Sequence, residues 1–205
     1  MSKYEDGIIC PEQFAKEPKK ILFIAKEPNS SKEDNSKDSS FIEVWSSEIP
    51  SYPFSHRVAE LAYGLLHGFG KHDDITVEKD SKQYERKGQL QLETLRRIAF
   101  INVKKTGGLQ TSKDTALLKH IRENKETILS QIDQIAPTHI VFFFSNVNLA
   151  HEIVGDGVLQ PTGYGCYAGI WGDRKVITCY HPSVPIGSSA VYALMKANAE
   201  ACNFI

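Results

Sequence analysis

Four short segments of the sequence hold side chains that suit catalysis or ligand binding. They are 26–29 (Lys-Glu-Pro-Asn), 53–57 (Pro-Phe-Ser-His-Arg), 101–103 (Ile-Asn-Val) and 180–183 (Tyr-His-Pro-Ser). Glu27 can orient water and offset a developing positive charge, and His181 can donate a hydrogen bond to a leaving group that becomes negative. The ring of Phe54 offers a stacking surface, and the carboxamide of Asn102 offers donors and an acceptor. Side chains of these types indicate a hydrolytic or ligand-binding site.

The segments lie at the ends of predicted secondary-structure elements. Continuously apolar runs are typical of strands covered on both faces, and apolar residues three and four apart predict helices. The predicted strands cover 19–25, 98–103, 140–144 and a hairpin of 167–171 with 175–180. The predicted helices cover 58–66, which ends at Gly68 and Gly70; 113–135; 149–154, preceded by a turn or cap at Ser145 and Asn146; and a stretch capped by Ser188 and Ser189. This alternation predicts an α/β fold, a three-layer α/β/α sandwich with a mostly parallel central sheet. Ligands of such sheets bind beyond the carboxyl ends of the strands.

The composition indicates one domain without a membrane anchor. The chain has 205 residues, 41% of them hydrophobic, so we expect a single domain over 1–205 with a mobile polar insertion at 30–40. No apolar run approaches the roughly 18 residues of a membrane span. Four widely spaced cysteines predict reduced thiols, no metal site and a cytoplasmic protein. With 24 basic and 25 acidic residues, any contact with nucleic acid must be local.

The order of the four segments resembles the uracil-DNA glycosylase superfamily. There a strand-ending Gly-x-x-Pro loop, a Pro-Phe segment, a strand-ending Asn and a final His-Pro-Ser loop follow one another in this order. The pattern is most similar to family four, whose Pro-Phe-Val-Gly-Arg-Ala-Gly-x-Leu motif matches 53–61 at Pro53, Phe54, Arg57 and Leu61. Residues 136–141 also resemble the start of its third core strand. The resemblance spans about 21–198.

The resemblance implies a uracil-DNA glycosylase-like fold and a hydrolase that removes uracil or another deaminated base from DNA. Such an enzyme extrudes the base from the stack and stabilises charge as the N-glycosidic bond breaks. The implied partner is DNA with a damaged base, and neither a metal nor another cofactor is expected. The implied roles are catalysis for Glu27 and His181, base binding for Lys26, Pro28, Phe54 and Asn102, and DNA-backbone binding for Ser183, Ser188 and Ser189.

Two segments depart from the family-four pattern. That family has Gly-Glu-x-Pro-Gly in its first loop, whereas here Lys26 holds the position of the acid and Glu27 directly precedes Pro28. Lys26 is therefore expected to pair with Glu27 or to meet a phosphate. The family's Asn-Val-Val-Lys-Cys segment reads Asn-Val-Lys-Lys-Thr at 102–106. Without that cysteine we expect no iron–sulfur cluster.

Two other functions are compatible with the same residues. A catalytically silent protein that binds a nucleobase or nucleic acid is favoured by the altered loop at 26–27 and by the lack of a basic excess. A hydrolase or transferase acting on free nucleosides is the other. Single residues also have structural interpretations: Phe54 as core, Asn102 as a loop cap, Arg57 as the partner of an acid on its own helix, and Lys104 and Lys105 as exposed charges.

Overall fold

The computed structural model describes residues 5–28, 40–78, 82–105 and 113–205. The strands are β1 (Gly7–Ile8), β2 (Ile21–Ala25), β3 (Ala99–Asn102), β4 (His139–Phe142), β5 (Gln160–Pro161), β6 (Tyr167–Trp171) and β7 (Arg174–Thr178). The helices are α1 (Pro11–Lys16), α2 (Phe41–Ser47), α3 (Pro53–His67), α4 (Tyr84–Leu95), α5 (Asp114–Glu123), α6 (Lys125–Ile135), α7 (Val147–Val154) and α8 (Ser188–Ala201). The predicted insertion at 30–40 lies, apart from Ser40, outside the described residues, as does Asn29.

The seven strands of the described residues form one mixed sheet in the order β1-β3-β2-β4-β7-β6-β5. The four central strands β3, β2, β4 and β7 are parallel, whereas β1, β6 and β5 pair antiparallel at the two sides. Ala25 lies opposite Asn102, and Phe142 lies opposite Thr178, so the carboxyl ends of the central strands form one edge. The prediction of an α/β fold with a mostly parallel central sheet is confirmed.

Helices pack on both faces of the sheet. Along β2, Ile21, Phe23 and Ala25 belong to a core shared with α3 and α8. The alternate residues Leu22 and Ile24 belong to a second core, shared with α5, α6 and α7. Successive side chains of a strand point to opposite faces, so a strand buried on both sides has a continuously apolar sequence.

The N-terminal end of helix α3 lies at the carboxyl edge of the sheet. Pro53 occupies the first turn, where the missing N–H removes no helical hydrogen bond, and Gly68 ends the helix with a left-handed φ of 78°. The buried residues Val58, Leu61 and Leu65 fix which face of α3 meets the core. The predicted helix and its glycine stop are confirmed, and Phe54 and Arg57 lie on its first two turns.

The single helix predicted over 113–135 is wrong. The structure has two helices, because the backbone at Asn124 leaves the helical region with φ −118° and ψ 16°. The Asn124 side-chain amide donates to the carbonyl of His120 at 2.9 Å, which also accepts from the Asn124 backbone N–H at 3.1 Å. The apolar positions Ile121 and Ile128 continue the same spacing across the break, which hides it in the sequence.

The predicted cap of the terminal helix is also wrong. Ser188 is the first residue of α8, and the cap position is held by Gly187, which has no side chain to accept a hydrogen bond. By contrast, the predicted cap of α7 is confirmed, since the Asn146 side chain accepts from the backbone N–H of Asn148 at 3.0 Å.

Helices α1, α2 and α4 and strands β1 and β5 were not predicted. Helix α4 shows the reason, because its buried face includes Gly88, Gln91 and Thr94, which form no apolar stripe. Across the described ranges, no helix has the length and apolar character needed to span a membrane.

Candidate functional site

The carboxyl edge of the sheet brings together the four segments identified in the sequence. The backbone N–H of Val103 donates to the carbonyl of Ala25 at 2.9 Å, and that of Lys104 donates to Lys26 at 3.1 Å, so the loops after β2 and β3 run side by side. The backbone N–H of Cys179 donates to the carbonyl of Phe142 at 2.8 Å. The final loop, which follows β7 and contains 180–183, therefore begins next to the end of β4. The predicted site residues therefore lie along one edge, as the strand order requires.

Glu27 forms an ion pair with a lysine from the neighbouring loop. Its Oε2 lies 2.5 Å from Nζ of Lys104, and the glutamate side chain is only 8% exposed. The Lys104 cation offsets part of the cost of burying the carboxylate. The candidate carboxylate is therefore held in place, although by a partner that the sequence did not indicate.

Lys26 pairs with Asp114 at the start of α5, not with Glu27. Its Nζ lies 2.8 Å from Oδ1 of Asp114, and Oδ2 of Asp114 accepts from the side-chain amide of Asn146 at 3.1 Å. Burial opposes ionisation of Asp114, but the hydrogen bonds from Lys26 and Asn146 outweigh it and lower the pKa of the carboxyl group. The expected pair of Lys26 with Glu27 is wrong, and base binding by Lys26 stays a prediction.

Lys104 and Lys105 were expected to be exposed charges, and this expectation is wrong. The side chains are 32% and 23% exposed. Lys105 contacts the carboxylate of Asp6 at 2.7 Å, and Asp6 itself is only 2% exposed. Both lysines serve as partners of buried acids at the edge of the sheet.

His181 is a half-buried imidazole in a defined hydrogen-bonding state. Its Nδ1 accepts from the backbone N–H of Ser183 at 3.2 Å, so in the neutral ring the proton resides on Nε2. Burial, with the nearby positive charge of Lys26, lowers the pKa of His181 to about 4. The ring is thus neutral at pH 7 and carries one N–H donor.

The rings of Phe54 and His181 lie next to each other. Their centroids are 5.6 Å apart with a 33° angle between the planes. Phe54 also meets the buried rings of Phe100 at 5.9 Å and Trp45 at 6.2 Å. Phe54 therefore packs against the core and also against His181. Its predicted role as a core residue and its predicted role in base binding are compatible.

Arg57 fixes the loop that carries His181. Its guanidinium donates to the carbonyls of Pro182 at 2.6 Å, Val184 at 2.7 Å and Ile186 at 2.6 Å. The expectation that Arg57 pairs with an acid on its own helix is wrong, because its donors are used by the final loop. Phe54 and Arg57 are three residues apart and therefore lie on one face of α3. This spacing is visible in the sequence and indicated that both residues belong to the site.

Asn102 ends β3 with a buried side chain that is 2% exposed. Among the described residues, its Nδ2 has no hydrogen-bond partner. Buried amide groups are normally hydrogen-bonded, so this donor is available to a ligand carbonyl. Its backbone N–H donates to Oδ2 of Asp6 at 2.7 Å, a contact that no sequence signal indicates across 96 positions.

The remaining predicted residues surround this edge. Pro28 is buried directly after Glu27, Ser183 is exposed in the final loop, and Ser188 and Ser189 lie in the first turn of α8. Ile186, at the tip of the final loop, is 41% exposed. The positions suit contacts with a long ligand, and the predicted roles of these residues stay predictions.

Metal-ligating side chains are dispersed in the described part of the chain, where no group of three His, Cys, Asp or Glu residues is placed to hold an ion. The four cysteines, Cys10, Cys166, Cys179 and Cys202, are free thiols. Burial raises the pKa of Cys166 to about 11, which makes this thiol a poor nucleophile.

No protein-family model matches the chain, and no curated protein matches it significantly. The function is therefore inferred from the site itself.

Proposed function

We propose that the protein is a DNA glycosylase-like hydrolase with a uracil-DNA glycosylase-like fold. The proposed reaction removes uracil or another deaminated base from DNA by hydrolysis of the N-glycosidic bond. The observation that carries the proposal is the state of His181. It is a neutral imidazole with its proton on Nε2, next to an aromatic ring and at the same edge as a buried carboxylate.

The histidine supports departure of the base. When the glycosidic bond breaks, negative charge develops on the base and is spread over its carbonyl oxygens. A fixed N–H donor in a partly buried site stabilises that charge without reorganisation. His181 supplies such a donor, because the Ser183 amide occupies its other ring nitrogen.

Phe54 and Asn102 supply recognition of the extruded base. A half-buried aromatic ring provides a stacking surface worth about 1–3 kcal/mol per base. The Nδ2 donor of Asn102, which has no partner in the described part of the chain, matches a carbonyl on the edge of a deaminated base. Deamination replaces an exocyclic amine by a carbonyl, so a buried donor favours the deaminated form over the original base.

Glu27 supplies the negative charge opposite the leaving group. As the bond breaks, the sugar gains positive charge, and a nearby carboxylate both offsets it and orients the attacking water. Lys104 holds Glu27 by the 2.5 Å contact. The products are the free base and an abasic sugar, with water supplying the new C1′ hydroxyl and a proton for the base.

DNA contacts in this proposal are local. The chain has a net charge of −1, so it lacks an overall basic surface to attract DNA. Ser183, Ser188 and Ser189 offer hydroxyl groups for phosphates, and the first turn of α8 adds the backbone N–H groups of a helix N-terminus. The exposed Ile186 provides an apolar tip for the space that the base leaves.

Incubation with end-labelled oligonucleotides that contain one uracil, hypoxanthine or xanthine tests the proposal. Both single- and double-stranded oligonucleotides are used, and alkali then cleaves the DNA at any abasic sites that the protein has produced. We expect strand breaks with the wild-type protein, and strongly reduced breaks with His181→Ala and Glu27→Gln. A wild-type protein that neither binds nor cuts any of these substrates overturns the proposal.

One observation favours a second candidate, a catalytically silent binding protein of the same fold. Lys104 neutralises much of the Glu27 charge, which weakens its effect on a positively charged sugar. Fluorescence anisotropy with the same oligonucleotides separates the two candidates, because binding without cleavage supports the silent protein. Turnover of free nucleosides alone indicates a nucleoside hydrolase instead.

A further inference from the structure

We infer that Asp6, together with Lys105 and Gln131, positions Asn102 and so sets the base preference of the site. This inference rests on the proposed function, in which Asn102 reads the base. Asp6 and Gln131 lie outside the four segments that resemble a glycosylase, whereas Lys105 belongs to the 102–106 segment compared with family four. The three side chains meet beside β1, which borders β3 on the side away from β2.

Strand β1 is too short to pair with the backbone of Asn102, so the N–H and C=O of Asn102 need other partners. Strand β1 runs antiparallel to β3, and its first residue, Gly7, lies opposite Phe100. Two residues further along β3, at Asn102, no β1 residue remains to pair with the backbone. The N–H and C=O of one residue in a strand point to the same side, so both groups of Asn102 face this gap.

The Asp6 cluster fills the gap. Oδ2 of Asp6 accepts from the Asn102 N–H at 2.7 Å, and Nζ of Lys105 donates to the Asn102 carbonyl at 2.7 Å. Both backbone groups of Asn102 are therefore fixed by side chains instead of by a neighbouring strand. The backbone of Asn102 is thus fixed on both groups, whereas its side-chain Nδ2 has no partner within the described ranges of the chain.

The cluster is itself tightly connected. Lys105 contacts Oδ1 and Oδ2 of Asp6 at 2.7 and 3.0 Å and donates to Oε1 of Gln131 at 2.7 Å. Nε2 of Gln131 donates to Oδ1 of Asp6 at 2.9 Å, which fixes the orientation of its amide. A buried carboxylate with this many partners is rigid, and it transmits that rigidity to Asn102.

This rigidity matters for selectivity more than for binding strength. A site built around one buried donor rejects a ligand that cannot accept from it, provided that the donor keeps its direction. If the end of β3 shifts, the amide of Asn102 reaches other groups on the base, and discrimination falls. Asp6 is thus a positioning residue that acts through Asn102 and does not touch the substrate.

The test compares kcat/KM for uracil with that for cytosine, which has an amine in place of the uracil carbonyl, in Asp6→Ala, Asp6→Asn and Gln131→Leu. We expect the ratio to fall about 10-fold in Asp6→Ala, the effect of losing one charged hydrogen bond. Asp6→Asn keeps an oxygen for the Asn102 N–H and should restore the ratio to within about 3-fold of wild type. Gln131→Leu, which leaves the direct contact intact, should lower the ratio by about 3-fold.

Glu17→Ala is the matched control. Glu17 is also a largely buried acid, 12% exposed and ion-paired with Arg97 at 2.6 Å, but it lies at the opposite end of the strands. Glu17→Ala should lower the melting temperature without changing the kcat/KM ratio. The control therefore distinguishes a loss of Asn102 positioning from a general loss of stability.

The outcomes are distinguishable. A wild-type protein that neither binds nor cuts the oligonucleotides overturns the proposed function and this inference with it. An active wild type whose ratio is unchanged in a folded Asp6→Ala variant overturns the inference alone. If Asp6→Ala does not fold, an unchanged ratio in Gln131→Leu, with the Asn102 backbone N–H exchanging as slowly as in wild type, overturns the inference as well.

Discussion

The guanidinium of Arg57 lies 2.6 Å from the carbonyl oxygen of Pro182, the residue that directly follows His181. Two further carbonyls, of Val184 and Ile186, accept from the same side chain. A planar guanidinium with several fixed donors suits three carbonyls of one loop, which a lysine ammonium cannot reproduce. The first turns of α3 and the loop after β7 therefore behave as one unit in the site.

Removal of this side chain should misplace His181. We predict that Arg57→Ala lowers kcat/KM by about 100-fold, the scale expected for a displacement of about 1 Å in an active site. Arg57→Lys should recover only part of the loss. Rate measurements alongside thermal melts check this, with Arg122→Ala as control, since Arg122 pairs with Glu152 away from the site. Wild-type rates in folded Arg57→Ala contradict the role.

The protonation state of His181 predicts a pH dependence. Its pKa of about 4 lies below the ordinary value of 6.5, so the rate should be flat between pH 6 and 8 and fall as the pH approaches 4. Below that pH, Nδ1 gains a proton and conflicts with the Ser183 N–H. In Lys26→Met, which removes a nearby positive charge, the midpoint should rise. A midpoint unchanged by this substitution argues against the role of Lys26.

The same shift predicts a loss of stability in acid. The unfolded chain binds a proton at His181 near pH 6.5, whereas the folded chain resists it until about pH 4. Stability linked to this group is therefore complete above pH 6.5 and is lost as the pH falls through 4. Urea unfolding at pH 7 and pH 4.5 should show a smaller difference in His181→Gln than in wild type. An equal difference in both proteins would contradict the assigned shift.

Glu27 and Glu17 provide a matched pair for catalysis. Both are largely buried and ion-paired, with 8% and 12% of their side chains exposed. Glu27→Gln should lower the rate by about 100-fold or more while the fold persists, whereas Glu17→Gln should leave the rate near that of wild type. Single-turnover cleavage of a uracil oligonucleotide distinguishes them. Comparable losses in both variants would point to stability instead of chemistry.

Residues whose surroundings are local in sequence were predictable. The apolar run of β2, the glycine after α3 and the Asn146 cap of α7 depend on neighbouring residues, and each was predicted correctly. The placement of the four segments at one edge followed from the alternation of strands and helices.

Features that depend on distant partners were not predictable. The pairing of Lys26 with Asp114 spans 88 positions and that of Glu27 with Lys104 spans 77. Any acid within reach satisfies a lysine equally well, so charge alone does not identify its partner. The break at Asn124 was missed for a different reason, since the apolar spacing continues through it.

Packing beside β6 gives a prediction that is independent of function. A Cβ on Gly169 would lie 1.9 Å from the carbonyl oxygen of Val158, a backbone atom that cannot move aside cheaply. Gly169→Ala should therefore destabilise the fold by about 1–3 kcal/mol. Gly70→Ala is the control, because nothing lies within 4 Å of that position. Equal unfolding free energies for the two variants would be inconsistent with this strand packing.

Nδ2 of Asn102, which has no partner among the residues that the structure describes, should make the protein less stable than a variant with an apolar side chain at this position. A buried donor without a partner costs about 1–3 kcal/mol, and a ligand carbonyl would recover that cost on binding. Asn102→Leu, of similar volume, should therefore melt at a higher temperature than wild type yet gain nothing from added uracil. The end of β3 would then lower the stability of the fold in order to bind a base carbonyl. Calorimetry on the two proteins, with and without uracil, measures both effects.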